Sequence, residues 1–356
     1  MRLAPRPRVV DAGLLVVTLA VAATGLASWL FGRPADWWVV ALHGVGGLVL
    51  AVLLGWKLRR VWPRLRSGRW TGPVVVSVVV LALAVAALAT GVAWVHGGRF
   101  GVGPWTGLSV HVGIGLLVLP VLAWHLRTHW RFPSRADFEG RRSALQAGLL
   151  FVSGALAWRF QQAVVDALGG AGAARRFTGS RPVAGSAGLG LPVTSWVADD
   201  PDPIDLSTWR LQVGGRVERP FTLAVDDLGA SDELRTVLDC TSGWYAERAW
   251  QGVRVGRLLD RAGVDRAGRY VRFRSVTGYR FSLPLDEARE ALLATHVEGA
   301  PLSHGHGAPA RLVAPGRRGF QWVKWVVAVE VLDRPDAGQW VAILTSGFTG
   351  RGRRGA

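Results

Sequence analysis

A single cysteine, Cys240, stands among 356 residues, in the stretch LDCTSGWYAERAWQGV. One thiol cannot close an intrachain disulfide, and no zinc-like spacing of further ligands surrounds it. Taken alone it reads first as a buried packing residue, because free Cys behaves as a small hydrophobe. Lysine is almost as rare. Only Lys57 and Lys324 occur among 42 basic residues, and lysine in a chain that otherwise uses arginine points to a task for a compact point charge.

Two of the eight histidines suggest a second chemistry. HGVGGLVLAVLLGWKLRR from His43 and HVGIGLLVLPVLAWHLRT from His111 coincide at His, Gly47/Gly115, Leu48/Leu116, Leu54/Leu122, Trp56/Trp124, Leu58/Leu126 and Arg59/Arg127. The segments before them also echo each other, ATGLAS beside ATGVAW. Such self-similarity marks an internal duplication. Imidazoles facing each other across a helix bundle can ligate both axial positions of a haem iron, and Gly47 and Gly115, one turn further on, would admit a flat macrocycle. Each histidine could instead hydrogen-bond a neighbouring helix. Ionisable groups at membrane depth are costly and mark function, so one haem b between His43 and His111 is expected. His125 lies roughly 21 Å below His111 along a helix, but its repeat partner is Lys57, so a second haem is not expected.

These groups need elements to hold them. Half of the residues are hydrophobic while the formal charge is +17, and the two kinds are segregated. Apolar runs near 10–31, 37–58, 73–95 and 107–128 suit a bilayer core, with a weaker fifth near 145–166 interrupted by Arg159, Gln161 and Gln162. Arginine clusters before the first run and between runs two and three and four and five place those segments in the cytoplasm. Trp37, Trp38, Trp94, Trp105, Trp124 and Trp130 fall near span ends and read as an interfacial belt. Much of the positive charge is therefore topology, and no nucleic-acid surface is expected. Five crossings in a bacterial inner membrane would leave the C-terminal part outside the cytoplasm. Arg141 and Arg142 open the fifth run as positive-inside anchors or as an internal signal of twin-arginine type. The resulting division is a four-helix transmembrane domain over 1–142, a fifth helix over 143–168, a linker over 169–189, a globular domain over 190–340 and a basic tail over 341–356. The helical part resembles the four-helix b-type cytochromes of respiratory membranes, which implies quinone and lipid as partners.

Beyond the linker, short alternating stretches such as WRLQVGG, RTVLDC, YRFSLPL and VKWVVAVEVL, broken by Gly, Pro and Asp turns, predict an α+β domain that is mostly strand. DCTSGW with AWQGVRVGRLLDRAGV, then HGAPARLVAPGRRGFQWVKWVVAVEVL, resemble the molybdopterin-binding domain of the sulfite oxidase family, including its protein-methionine-sulfoxide reductase branch. The resemblance implies Cys240 as molybdenum ligand. Thr194, Ser195 and Trp196 would form the first cofactor loop, departing from the family's usual Asn and Tyr. It implies a cofactor contact for Ser275, pterin contacts for His306 and Arg311, and a phosphate-side turn at Trp322, Val323 and Lys324. Tyr245 and Tyr279 are candidates to donate a hydrogen bond or proton at the metal, and His304 is expected as a solvated loop residue. Near Cys240 the sequence offers Trp244 and Tyr245 before Arg248, rather than the several arginines that suit a dianionic substrate. The expected activity is therefore sulfoxide reduction, on a small molecule or a protein. The alternatives are sulfite-type oxidation with electrons leaving through haem, or an electron-relay subunit with a degenerate molybdenum domain.

Overall fold

The computed structural model describes residues 6–68, 70–98, 100–103, 105–129, 141–183, 190–196 and 199–348. The side chains of Arg141 and Arg142, Trp130 and half of the basic tail, 349–356, lie outside the described residues. The chain divides into two compact units, Met1–Arg181 and Pro182–Ala356.

The first unit is helical: α1 (Pro7–Ala27), α2 (Trp37–Arg66), α3 (Gly72–Val95), α4 (Gly107–His129) and α5 (Arg141–Ala167). Prolines open α1 and α3, where a missing N–H costs nothing. Four segments, Pro7–Ala27, Pro34–Arg66, Gly72–Val95 and Gly107–Thr128, are long and apolar enough to cross a membrane. α3 is apolar all round, the pattern of a helix with no face turned to water. The fifth helix forms over 27 residues but is not among the apolar four. It nevertheless packs along α2. A Cβ at Gly44 would lie 2.6 Å from the Trp158 indole nitrogen and one at Gly154 would lie 2.8 Å from Val49, so α5 runs antiparallel to α2.

After α5 the chain folds back as a strap, 172–181, onto the C-terminal end of α3. The Arg175 guanidinium donates to the Val95 carbonyl and, at 2.7 Å, to Gln162. Arg181 donates to the carbonyls of Trp94 and, at 3.0 Å, Gly98. Those acceptors are carbonyls that a helix end leaves unsatisfied, and cations there also meet the negative end of the helix dipole. Trp94 donates to Gly179 at 2.8 Å and lies 3.8 Å beneath the Arg181 guanidinium. Trp94 is thus a buried anchor for the strap, not a belt residue, whereas Trp37, Trp38, Trp105 and Trp124 are exposed. The first unit therefore ends beside the α3 C-terminus, opposite the end that carries Arg59, Arg60, Arg64 and Arg66.

The second unit contains β1 (Leu211–Gly215), β2 (Phe221–Leu223), α6 (Val225–Leu228), β3 (Asp232–Asp239), β4 (Trp244–Arg254), α7 (Val255–Ala262), β5 (Tyr270–Ser275) and β6 (Arg280–Pro284). It continues with α8 (Leu285–Glu290), β7 (Leu292–Val297), β8 (Ala300–Pro301), β9 (Arg311–Val313), β10 (Val326–Leu332) and α9 (Gln339–Thr345). One sheet runs β2-β1-β10-β5-β6, with β1 and β10 parallel. In the other, β4 pairs with β3 and β7, and β7 with β8 and β9. Their buried faces share one core that includes Leu211, Trp250, Phe273, Leu292, Leu312 and Val329. This is the mixed, mostly strand domain that the alternation predicts.

Candidate active site

The cysteine sits in the turn between β3 and β4. Strand register pairs Asp239 with Tyr245, the Cys240 amide donates to the Trp244 carbonyl at 2.8 Å, and Gly243 closes the turn onto Cys240 at 3.0 Å with φ of +99°. Cys240 is 7% exposed, with its Sγ 3.1 Å from Ser242 Oγ. Behind it the Gly319 backbone approaches so closely that a Cβ there would lie 3.1 Å from Cys240 Cα. Asp239 and Arg318 form an ion pair at 3.1 Å, both side chains 3% exposed, and Arg318 also reaches the Cys240 carbonyl at 3.4 Å. The thiol is thus held by backbone on both sides and locked by a buried charge pair. Neither Arg318 nor Ser242 is singled out by sequence; the one available signal is an acid immediately before the cysteine.

Two cations share the place. Arg311, at the start of β9, is 3% exposed; its Nη1 donates to the His306 carbonyl at 2.9 Å, while its Nε has no hydrogen-bond partner. It lies over Trp250 at 5.1 Å and Trp322 at 5.8 Å. Lys324 donates to the carbonyls of Thr194 at 2.9 Å and Gly305 at 2.6 Å and to Ser195 Oγ at 3.2 Å. Neither cation forms an ion pair with a carboxylate among the described residues. Burial pushes Arg311 down to about 10, against the pull of the Cys240 thiolate, and burial followed by Arg311 pushes Lys324 down to about 7. A buried arginine with an orphaned N–H and a half-buried lysine, neither ion-paired with a carboxylate, fit an anionic ligand. With the thiol alongside, the donor set fits an anionic cofactor carrying a metal.

Backbone geometry brings these cations together. Gly307 has φ of +104°, and a Cβ there would lie 3.0 Å from Lys324 Cβ and 3.1 Å from Arg311 Cβ, so only glycine suits the position. Trp325 takes the left-handed conformation, φ of +50°, uncommon for a bulky residue. Its indole donates to the His304 carbonyl at 2.8 Å. His304, expected in solvent, instead stacks on Trp325 with ring centres 5.6 Å apart and bonds the Pro201 carbonyl at 2.9 Å.

The remaining sequence candidates fall into three groups. Thr194 and Ser195 are bound to Lys324, and Thr194 also accepts from Trp244 at 3.2 Å; Trp196 packs half-buried against the core. His306 is buried and donates from Nε2 to Leu191 at 3.0 Å while Nδ1 accepts from Ser303 at 2.7 Å, the arrangement of a neutral ring, whose affinity for a proton burial lowers. Val323 and Trp322 are buried; the first accepts from the Leu312 amide at 2.8 Å and the second donates to Arg317 at 3.1 Å. Ser275 ends β5 and is buried. Tyr245 is half-buried beside the cysteine turn. The Tyr279 hydroxyl donates to the Phe320 carbonyl, and burial raises its pKa. The same bond makes Tyr279 a brace for the loop behind Cys240.

In the helical unit the repeat is reproduced at the two histidines. His43 Nδ1 lies 2.9 Å from the Val21 carbonyl and His111 Nδ1 lies 3.0 Å from that of Ala87, the equivalent residue of the duplicate. Gly25 and Gly91 make room: a Cβ would lie 3.0 Å from His43 Cε1 and 3.1 Å from His111 Cε1. With Nδ1 donating, each Nε2 is the free acceptor. The ring centres stand 6.0 Å apart with planes at 88°. The two imidazoles are the residues that would hold a haem iron, each supplying a neutral ring nitrogen. A Cβ at Gly47 would meet one atom at 3.9 Å and a Cβ at Gly115 nothing within 4 Å, which leaves room beside the pair. At the other end of the helices the duplicate diverges. His125 lies 3.2 Å from Ser77, whereas Lys57 is paired with Asp11 at 2.6 Å, an acid also bound by Arg60 at 2.7 Å.

Residues 198–340 match the model of the oxidoreductase molybdopterin binding domain. The protein-methionine-sulfoxide reductase catalytic subunit MsrP of Xanthomonas axonopodis pv. citri (strain 306) is 34% identical over 157 residues, 38% of this chain and 49% of the relative. The uncharacterized oxidoreductase YuiH of Bacillus subtilis (strain 168) is 33% identical over 141 residues, 38% of this chain and 71% of the relative. Among solved structures, the sulfane dehydrogenase SoxCD of Paracoccus pantotrophus is similar at 26% identity with a TM-score of 0.36, over 38% of this chain and 40% of that one. The chain spans about half the length of the MsrP relative it matches. With a thiol and two carboxylate-free cations gathered inside the matched segment, the chain belongs to the molybdopterin-binding oxidoreductases, the family for which its single cysteine was singled out.

Proposed function

We propose that the chain is a multi-pass protein of a bacterial inner membrane. It passes electrons from the quinone pool through one b-type haem to a molybdenum cofactor outside the cytoplasm, where a sulfoxide, free or protein-borne, is reduced. The observation that carries the reading is the meeting of the only thiol with the buried Arg311 and the half-buried Lys324, neither of them ion-paired with a carboxylate among the described residues. When bound, the cofactor supplies a metal that accepts an oxygen atom and changes oxidation state by two. Cys240 is its protein ligand, Arg311 and Lys324 neutralise its phosphate side, and His306, Thr194, Ser195, Trp196, Ser275, Trp322 and Val323 shape the pocket. Tyr245 faces the substrate. Arg318, whose guanidinium reaches the Cys240 carbonyl, is paired with Asp239, and a charge so committed favours a neutral sulfoxide over a dianion.

His43 and His111 hold the haem. The ion pair of Lys57 with Asp11 supports one haem per chain, because an amine kept as a cation cannot ligate iron; His125 is left as a quinone contact. The arginine-rich ends of the helices lie in the cytoplasm, and the strap at the opposite end delivers the catalytic domain to the outer side.

Metal analysis of the purified full chain tests the reading together with Cys240→Ser. Molybdenum in the parent, and a variant with an unaltered haem spectrum but no sulfoxide turnover, are expected. Full activity in that variant removes the molybdenum assignment. Protease applied from the outer face of spheroplasts should digest residues beyond about 181, and Arg141→Lys with Arg142→Lys should block that exposure only if the pair is an export signal.

A further inference from the structure

The last helix of the sheet unit is turned the wrong way round for a protein in water. In α9 the Gln339 carboxamide oxygen accepts from the Ser282 amide at 2.8 Å and from Ser282 Oγ at 2.9 Å, and Ser282 Oγ accepts from the Asp336 amide at 3.2 Å. Gln339, Ile343 and Ser346 are buried, Ile343 within the domain core. These positions share one face, and the buried amide at the start of the helix fixes its roll. The opposite face carries Trp340, 46% exposed, Val341, 64%, and Leu344, 63%; Phe348 follows at 58%. Surface helices of a soluble domain present the reverse pattern, apolar side chains inward and polar ones outward. A single exposed apolar residue is ordinary, but four clustered on one short segment mark a contact surface.

Charge says what that surface meets. Between Asp336 and Ala356 the sequence holds no acidic residue, whereas Arg351, Arg353 and Arg354 follow Phe348 within six positions. The acids that precede the helix are already committed, Asp333 to Arg216 at 3.2 Å and Asp336 to Arg280 at 2.7 Å and Arg272 at 3.4 Å. Arg334, between them in sequence, is exposed and forms no ion pair among the described residues. Apolar side chains flanked by arginines suit the headgroup boundary of an anionic bilayer. A protein partner suits them less, because four side chains offer on the order of a few hundred Å² against about 800 Å² per partner in a stable interface. We infer that α9 and Phe348 dock into the headgroup layer of an anionic phospholipid membrane, with the Trp340 indole at the polar boundary and the arginines on lipid phosphates. This docking rests on the reading of the chain as a membrane protein, which keeps a bilayer within reach of the sheet unit in every molecule.

The test uses the full chain in lipid nanodiscs of phosphatidylcholine, with or without phosphatidylglycerol, carrying a photoreactive p-benzoylphenylalanine at one exposed position at a time. With phosphatidylglycerol present, Leu344→p-benzoylphenylalanine should yield a lipid adduct on illumination, read by mass spectrometry. The yield should fall about threefold or more in phosphatidylcholine alone, or when Arg351, Arg353 and Arg354 are all replaced by Gln. Val341→Asp, at an exposed position, should lower the Leu344 yield to a similar extent while leaving the thermal midpoint of the chain unchanged. Capture of a second copy of the chain, or of another segment of the same chain, in place of lipid overturns the docking, and so do equal yields in the two lipid mixtures. The same probe at Leu117, exposed on α4, should capture lipid in either mixture. No lipid capture at Leu117 overturns the membrane reading itself, whereas capture at Leu117 without capture at Leu344 overturns only the docking of α9.

Discussion

In the helical unit each histidine is aimed by one carbonyl and one glycine of the helix before it, Val21 and Gly25 for His43, Ala87 and Gly91 for His111. In the sheet unit the Cys240 turn depends on strand register, on the Gly319 backbone and on an ion pair to Arg318, all remote in sequence from one another. The first arrangement needs only a helix pair, and could therefore be copied whole by duplication. The second needs a complete fold, and a fault in any contributor is felt at the thiol.

The contrast is broken most directly at the iron. His43→Ala should abolish haem binding, while His125→Ala should leave one haem per chain by pyridine haemochrome against protein concentration. Two haems in the parent, or haem loss in the His125 variant alone, would contradict the one-site duplicate. In the sheet unit, Arg318→Ala removes the buried partner of Asp239 and should cost about 3–5 kcal/mol in denaturant unfolding. Replacing both partners together, Arg318→Met with Asp239→Leu, should recover much of that loss without recovering turnover. Gly91→Ala sharpens the helical side, since a methyl 3.1 Å from the His111 ring must displace it; overpacking of this kind costs about 1–3 kcal/mol, read as weaker haem retention in a spectral titration.

The smallest expected effect is a pH slope. Without cofactor, burial holds Lys324 at about 7, against an ordinary value of 10.5. Between those pH values the unfolded chain binds the extra proton, so the cofactor-free chain should gain thermal stability as pH rises through that window. Lys324→Met should flatten the slope. An anion supplied by the cofactor should flatten it too, by keeping the lysine charged when folded.

Much of this was legible before folding because it is periodic or singular. The four apolar runs, the repeated His-x3-Gly pattern and the lone Cys240 are local properties of the chain. The fifth helix was readable only as a weak run, because what seats it is the fit of Trp158 against Gly44 rather than apolarity. Trp94 read as a belt residue since position near a span end says nothing of the strap that later covers it. Arg318 left no pattern at all. Its role comes from which loops the sheets bring together, and a buried ion pair has no sequence period.

The duplication has one further consequence. Helix pairs α1–α2 and α3–α4 present His43 and His111 through matching carbonyl contacts. A porphyrin held there would meet a like-placed histidine on either face, yet its own vinyl and methyl edges are not symmetric. Both faces should therefore be accepted with similar ease, giving two insertional isomers in slow exchange and paired sets of ring-methyl resonances in the proton NMR spectrum of the oxidised protein.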